Sequence, residues 1–370
     1  MKDDYFVPSF GNKPRNLVGR ENIMSKFEEC LNSVPGSRDR ALVMLGQRGA
    51  GKTVLLLELA QMATEKGFVV ALPTVVSKEM PVRVVEKLIS SSENVLKNKK
   101  SKISGGSINM FGFGAGIQMK DDNDEKKSFS QKLNEICKEI NKNGHPVLIL
   151  IDELQANNEE LKQLIIAYQE MVGEGIDVAL VMAGLPGAVS SVLNEHVLTF
   201  INRSTKIELE PLRQNDIEIY YTKAFNELGI NIDNGTIKNA ARQTEGSPYM
   251  MQLIGHYITI LSDDSGVIDK DNISKALTMA EDDYQNDICK TTLAALSEKD
   301  ILFLKAMSKD GEESEVNDIA ERIGASNQYV QIYKKRLIQS GIINQPARGK
   351  VRIVIPYLKE YLAKGEEYIY

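Results

Sequence analysis

A glycine-rich stretch followed by Lys-Thr contains the residues most able to perform chemistry. An apolar run over 41–45 leads into it, and the spacing from Gly46 to Gly51-Lys52-Thr53 fits the P-loop pattern. In such a loop backbone N–H groups surround phosphate oxygens, the lysine reaches the outer phosphates, and the threonine hydroxyl joins the shell of a magnesium ion. A plain strand-to-helix turn would need glycine but not Lys-Thr. The predicted nucleotide-binding residues are Gly46, Gln47, Arg48, Gly49, Ala50, Gly51, Lys52 and Thr53.

Two carboxylates, Asp152 and Glu153, follow an unbroken apolar run over 147–151. Such a run is typical of a strand buried on both faces, and ligands bind at the carboxyl ends of parallel strands. We expect Asp152 to hold magnesium, mainly through water, and Glu153 to activate the water that attacks the γ-phosphate. An acidic pair after a strand often only caps the next helix, but the upstream P-loop favours the catalytic interpretation.

Alternating apolar strands and amphipathic helices must position these residues. Buried strands are predicted at 41–45, 68–72, 147–151 and 177–182, and a short strand at 205–209. This alternation predicts an α/β fold with a parallel sheet covered by helices on both faces. The predicted domains are an N-terminal arm and helix (1–40), a P-loop core (41–212), a helical lid (213–290) and a C-terminal unit (296–370).

The C-terminal unit shows three amphipathic helices and two short apolar strands, which together predict a winged helix-turn-helix. Seven basic residues and no acidic one lie between Ser326 and Lys359, although the whole chain has a net charge of −6. Winged helices also dock proteins, and basic faces are often only solvated, so DNA binding is one of two open interpretations. The candidate DNA contacts are Asn327, Gln331, Lys334, Lys335, Arg348 and Lys350.

A basic and glycine-rich stretch near 97–125 predicts an insertion in the P-loop core. It is either a hairpin that contacts DNA or a partner, or a flexible excursion whose aromatic side chains pack on a neighbour. Both interpretations stay open at the level of sequence.

Composition excludes several classes of protein. A chain of 370 residues with 42% apolar content can form two or three globular domains, and its acidic balance argues against a wholly basic nucleic-acid coat protein. Its three cysteines have neither zinc-ligand spacing nor a disulfide framework. No secretory signal and no run long enough to cross a bilayer is evident, so we expect a soluble cytoplasmic protein without a membrane partner.

Several further motifs carry a family resemblance. Together with the P-loop and the acidic strand end, the stretches 17–21 (LVGRE), 182–186 (MAGLP) and 246–249 (GSPY) and an arginine before the last strand resemble AAA+ ATPases. More narrowly, the chain resembles the replication-initiator clade and its bacterial ATP-binding relatives with a C-terminal winged helix. The resemblance implies that Val18 and Gly19 lie against adenine. It also implies that Arg203 is an arginine finger that completes a neighbouring subunit's site, although Arg203 could equally pair with Glu208.

Two departures from that family pattern bear on the rate of hydrolysis. The resemblance leads us to expect a polar sensor residue where this chain has Ala183-Gly184, and an arginine in the lid near Tyr249. Their absence favours slow hydrolysis, or ATP used as a conformational switch.

We therefore expect an ATP-dependent DNA-binding ATPase that uses ATP and Mg²⁺, with Lys52, Glu153 and Arg203 as its catalytic residues. Thr53 and Asp152 would hold the metal. Duplex DNA and other copies of the chain are the expected partners. The alternative is an ATPase signalling switch, for example in stress or phage defence, whose winged helix docks a protein partner.

Overall fold

The structure is a computed structural model that describes residues 5–8, 15, 17–100, 128–154, 158–187, 202–263 and 265–364. Most of the predicted glycine-rich insertion, residues 101–127, lies outside the described residues.

A five-stranded parallel sheet forms the centre of the N-terminal half, in the order β2-β3-β4-β1-β5. Its strands are β1 Ala41–Leu45, β2 Val69–Val75, β3 Val147–Leu154, β4 Val178–Gly184 and β5 Thr205–Glu208. Since all strands run the same way, the residues after β1, β3 and β4 meet at one edge. This brings the loop after Leu45 and the end of β3 together, as the sequence predicts.

Helices cover both faces of the sheet because successive strand residues point to opposite sides. Leu148 and Leu150 face one apolar core together with the first two helices, whereas Ile149 faces a second core with the next three. The helices are α1 Glu21–Asn32, α2 Lys52–Glu65, α3 Met80–Lys100, α4 Phe129–Lys142 and α5 Glu159–Gly173. The backbone of α3 stays helical to Lys100, so the start of the predicted insertion at 97 belongs to this helix.

Four helices follow the sheet and form the lid: α6 Gln214–Glu227, α7 Asn234–Gln243, α8 Pro248–Leu261 and α9 Lys270–Tyr284. Side chains of Asp233, Ser247 and Asp269 cap the last three at their N-termini, which fixes where each begins. The N-terminal segment is anchored here. Phe6 is fully buried against Gly255 of α8, and Tyr220 Oη donates to the Tyr5 carbonyl at 2.9 Å.

The C-terminal unit follows the lid after a π-helical segment, Gln285–Lys290. It comprises α10 Thr291–Ala294, α11 Glu298–Ser308, β6 Ser314–Glu315, α12 Val316–Arg322, α13 Asn327–Gln339, β7 Ile343–Asn344, β8 Lys350–Ile353 and α14 Leu358–Lys364. The three strands pair antiparallel in the order β6-β8-β7. This order is consistent with the winged helix-turn-helix expected from the sequence, with β6 as an additional two-residue strand.

The C-terminal unit and the lid share one apolar cluster, which includes Tyr221 and Ile254 of the lid and Phe303 and Leu337 of the C-terminal unit. The same unit also reaches the P-loop. A methyl group built on Gly341 would stand 2.5 Å from Oε1 of Gln47, so the chain after α13 lies directly against the loop. No helix in the described ranges is long and apolar enough to cross a bilayer.

Candidate nucleotide site

The loop between β1 and α2 adopts the conformation that its glycines allow. Gly49 and Gly51 have φ values of +74° and +87°, in the left-handed region that side chains disfavour. Gly51 is the N-cap of α2 and supplies no side chain to cap it. The first N–H groups of α2, at the positive end of the helix dipole, therefore have no side-chain acceptor, which suits an anionic ligand.

Lys52 lies folded over this loop. Its Nζ donates to the carbonyls of Gly46 at 2.8 Å and Gln47 at 2.7 Å. Burial lowers the pKa of Lys52 to about 8, because the ammonium loses water, while the nearby Asp152 carboxylate partly opposes this shift. The ammonium thus lies beside the loop. A phosphate bound by the loop would take the place of these carbonyl oxygens as the hydrogen-bond partner of Lys52.

Thr53 and Asp152, the two predicted metal-holding residues, are in direct contact. Thr53 Oγ1 donates to Asp152 Oδ2 at 2.6 Å, and the Asp152 side chain is buried at the end of β3. A hydroxyl and a carboxylate oxygen are ligands that magnesium accepts, and magnesium usually keeps several waters besides one or two protein groups. No group of three or more His, Cys, Asp or Glu side chains that could hold a metal occurs in the described ranges.

Glu153 is exposed, and its backbone has an unusual conformation. Its φ is +54°, one of three positive values at non-glycine residues in the part of the chain described here. Its N–H donates to Asp152 Oδ1 at 2.9 Å, which leaves Oδ2 of Asp152 for Thr53. Such a φ in a non-glycine residue is uncommon and often marks a functional site. The sequence predicts the position of Glu153 but not this conformation.

The segment Val18-Gly19-Arg20 lies between the P-loop and the lid. Gly19 has a φ of +62°, and a methyl group built on it would stand 3.0 Å from Oδ2 of Asp216 in α6. Val18 packs against the lid core. Both residues predicted to face adenine therefore lie beside the start of the lid.

Arg20 is a site residue that the sequence interpretation misses. Its side chain is buried, and its guanidinium donates to the carbonyls of Glu210 at 2.9 Å and Ala50 at 3.4 Å. Arg20 therefore links the P-loop, through Ala50, to the segment just before the lid, through Glu210. Burial lowers the pKa of Arg20, but a guanidinium stays charged in proteins. Its place in the LVGRE motif was the available signal.

The two positions where the resemblance implies sensor residues contain other groups. Gly184 accepts a hydrogen bond from the Gly46 N–H at 3.2 Å through its carbonyl and offers no side chain. Tyr249, in the lid, lies over the P-loop: its Cβ is 3.6 Å from a methyl group built on Gly49. Its hydroxyl donates to Asp287 Oδ2 at 2.6 Å, in the π-helical segment.

Arg203 is exposed and lies at the opposite end of the sheet from the P-loop. Thr205 at the start of β5 pairs with Leu42 at the start of β1, whereas the P-loop follows Leu45. Roughly 15 Å of strand therefore separates Arg203 from the P-loop of its own chain. No ion pair with Glu208 forms among the residues that the structure describes.

The predicted DNA-contacting residues are only partly available. Asn327, Gln331, Lys335 and Arg348 are exposed. Lys334 Nζ donates to Gln345 Oε1 at 3.2 Å, and Lys350 forms an ion pair with Glu313 at 3.1 Å.

Apolar side chains are also exposed on α13. Tyr329 and Ile332 are 60% and 50% exposed, whereas Val330 and Leu337 of the same helix are fully buried. The solvent face of α13 is therefore mixed in character, with amides, lysines and two large apolar side chains.

Comparison with known proteins agrees with this geometry. A family profile described as "AAA ATPase domain" matches residues 16–181. Residues 16–181 therefore resemble an AAA ATPase domain. A second profile, a domain of unknown function (DUF8462), matches residues 286–362, which cover most of the C-terminal unit. No curated protein matches the sequence.

Solved structures resemble the fold of this chain over nearly its whole length. The Walker-type ATPase PABY2304 of Pyrococcus abyssi has a TM-score of 0.67 at 14% identity, covering 95% of this chain and 97% of that one. The ORC2 protein of Aeropyrum pernix, in ADPNP–ADP complexes, has 0.64 at 15% identity with 96% of each chain covered. Cdc6p from Pyrobaculum aerophilum has 0.52 at 16% identity with 99% of each covered. At these identities the likeness establishes the fold, which is the AAA+ P-loop fold.

Proposed function

We propose that this protein binds and hydrolyses ATP with magnesium, and that it works as an oligomer that engages duplex DNA. The observation that carries the proposal is the hydrogen bond from Thr53 Oγ1 to Asp152 Oδ2, at 2.6 Å. Thr53 directly follows the P-loop lysine, Lys52, in the sequence. A P-loop lysine, a hydroxyl and a buried carboxylate are the groups that hold a magnesium-bound triphosphate. The domains we propose are a P-loop core (41–212), a lid (213–290) and a winged helix (296–370).

The residues take distinct parts in hydrolysis. Lys52 and the N–H groups of the loop hold the phosphates, while Val18 and Gly19 border the base. Thr53 and Asp152 would hold magnesium, which supplies charge neutralisation at the phosphates when bound. The exposed Glu153 carboxylate accepts a proton from the attacking water, since it lies next to Asp152 yet remains free to face solvent.

We propose that the chain forms an oligomer in which Arg203 of one copy completes the nucleotide site of the next. Because it lies at the far end of its own sheet, it can complete only the site of another copy. Mixing two variants tests this. Arg203→Ala retains its own site and lacks the finger, whereas Glu153→Gln retains the finger and lacks the base, so a mixture should regain turnover that neither variant has. If the mixture stays as inactive as its components, Arg203 does not act between subunits.

DNA binding rests on the exposed amides and basic side chains of α13 and the wing. Anisotropy of a labelled duplex, measured over a series of salt concentrations, tests it. Replacing Lys334, Lys335 and Arg348 with alanine should weaken binding and reduce the salt slope by about 3, because each phosphate contact contributes roughly 0.9. Three exposed lysines elsewhere provide a control with the same loss of charge: Lys26, Lys238 and Lys275. Equal losses in both triple variants, or no binding by the wild type at low salt, would contradict the proposal.

The exposed apolar pair Tyr329 and Ile332 favours a second candidate function, an ATPase signalling switch whose winged helix docks a protein. ATP turnover distinguishes the two candidates. DNA-dependent stimulation of phosphate release, lost in the Lys334, Lys335 and Arg348 variant, supports the first. Turnover that is indifferent to DNA, together with association through Tyr329, supports the second.

A further inference from the structure

Three lid side chains converge on the middle of the P-loop. A methyl group built on Gly49 would stand 3.6 Å from Tyr249 Cβ, 3.7 Å from Ser247 Oγ and 3.8 Å from Tyr284 Oη. These are ordinary van der Waals distances, so the lid packs directly on the loop at this position, and the φ of +74° favours glycine here. The lid therefore contributes polar atoms within a few ångströms of the loop that the proposed function assigns to phosphate.

The Tyr284 hydroxyl is distinct among these atoms because it has no hydrogen-bond partner. The Tyr284 side chain is fully buried, and its Oη finds no acceptor or donor in the described ranges. Ser247 is close enough to influence its pKa, but a hydrogen bond of good geometry does not form, and Ser247 Oγ accepts from the Met250 N–H instead. A buried hydroxyl without a partner costs free energy, so its persistence needs an explanation.

The tyrosine ring is held in place on two sides. Its centroid lies 6.0 Å from that of Tyr249 in the lid and 5.9 Å from that of Tyr357 in the C-terminal unit. Tyr357 has a φ of +59°, and its hydroxyl donates to the Gln243 carbonyl. Tyr284 is also the last residue of α9, directly before the π-helical segment, and such segments are frequent at functional sites. The hydroxyl oxygen is therefore held in position and cannot move to another partner.

Burial raises the pKa of Tyr284 above its ordinary value, so the hydroxyl keeps its proton at physiological pH. A protonated phenol in this place can donate a hydrogen bond and cannot repel an anion.

We propose that the Tyr284 hydroxyl donates a hydrogen bond to a phosphate oxygen of the nucleotide on the P-loop, and that this is its missing partner. The inference rests on the proposed nucleotide binding and adds a lid residue to that site. Because the same ring packs against Tyr357, the contact also links nucleotide occupancy to the position of the C-terminal unit.

The variant Tyr284→Phe removes only the hydroxyl. Two quantities should change in different ways. Without nucleotide, the melting temperature should stay the same or rise, since an unpaired buried hydroxyl is lost. With ATP and magnesium, the dissociation constant should rise about tenfold, as expected for a hydrogen bond to a charged group.

A matched control is Tyr221→Phe. Tyr221 is a buried lid tyrosine whose hydroxyl donates to the Met251 carbonyl at 2.9 Å and has no role at the P-loop. Its loss should lower the melting temperature of the free protein and leave the ATP dissociation constant within twofold of the wild type. The two variants should thus show opposite patterns.

Three results have distinct meanings. Unchanged or tighter ATP binding by Tyr284→Phe, or a fall in its nucleotide-free melting temperature like that of Tyr221→Phe, overturns the role of Tyr284 while nucleotide binding stands. Absence of ATP binding by the wild-type protein overturns the proposed function itself. Weaker ATP binding with an undiminished melting temperature supports the inference.

Discussion

The affinity for ATP should fall as the pH rises through 8, because burial lowers the pKa of Lys52 to about 8. Only the charged ammonium can pair with phosphate, and phosphates are already fully ionised above neutral pH. The apparent dissociation constant is the intrinsic one divided by the charged fraction of Lys52. That fraction is about nine-tenths at pH 7 and about one-tenth at pH 9. The affinity should therefore drop about tenfold, or about 1.4 kcal/mol, over this interval.

The cysteine thiols, which ordinarily have a pKa of about 8.5, do not titrate in this pH window. Burial raises the pKa of the Cys30, Cys137 and Cys289 thiols to about 12, so they do not ionise between pH 7 and 9. The free energy of unfolding of the nucleotide-free protein provides an independent check, because Lys52 should change it in the opposite direction to the affinity for ATP. Between pH 8 and 10.5 the unfolded chain binds the Lys52 proton and the folded chain does not, so this residue contributes rising stability as the pH increases. Lys52 would therefore weaken ATP binding and stabilise the free protein over the same rise in pH. Alkaline unfolding would instead weaken both ATP binding and the stability of the free protein.

The assay is a calorimetric titration of ATP with magnesium at several values between pH 7 and about 9.5. Lys52→Ala serves as the control. It should bind at least about tenfold more weakly at pH 7, the loss expected for charge-assisted hydrogen bonds, and should show no slope with pH. A flat profile for the wild type, or the same slope in Lys52→Ala, would refute the assignment of the titration to Lys52.

Three further predictions concern catalysis and stability. Glu153→Gln should bind ATP within about threefold of the wild type but hydrolyse it about 10²–10⁴-fold more slowly, measured as phosphate release, whereas undiminished turnover would exclude Glu153 as the base. Arg40→Leu should destabilise the protein by about 1–3 kcal/mol in urea titration, because the buried Arg40 guanidinium lies 3.1 Å from the partly exposed Asp177 carboxylate; a loss below about 0.5 kcal/mol would mean that the pair contributes little. Phe6→Ala should destabilise the lid by about 3–5 kcal/mol, since its ring is fully buried against Gly255, and unchanged hydrogen exchange in α8 would contradict that anchoring role.

The P-loop and the sheet could be predicted because their signals are local. Long apolar runs define β1, β3 and β4, and the spacing of glycines before Lys52 specifies the turn. The order of parallel strands then brings Asp152 against Thr53 without further information. The helices of the lid follow from their amphipathic patterns along the chain.

Contacts between distant segments could not be read from the sequence in the same way. Arg20 reaches Glu210 across 190 residues, and the anchoring of Phe6 in the lid depends on the absence of a side chain at Gly255. The positive φ of Glu153 is set by its surroundings rather than by its residue type. None of these has a periodic or spacing signal.

Counting charge along the sequence overestimated the basic face of the C-terminal unit. The counted window begins at Ser326, but the acidic partners lie before it. Lys350 pairs with Glu313, and Arg336 pairs with Asp300. The remaining exposed cations on α13 and the wing, such as Lys335 and Arg348, therefore carry most of the predicted attraction to DNA.

The most direct test of the account is a titration of ATP with and without magnesium, in the wild-type protein and in Asp152→Asn. The account predicts that magnesium strengthens ATP binding by the wild type, and that Asp152→Asn loses most of this gain because its amide is a poorer magnesium ligand beside Thr53. Binding of ATP that is indifferent to magnesium in both proteins, or no binding at all by the wild type, would contradict it.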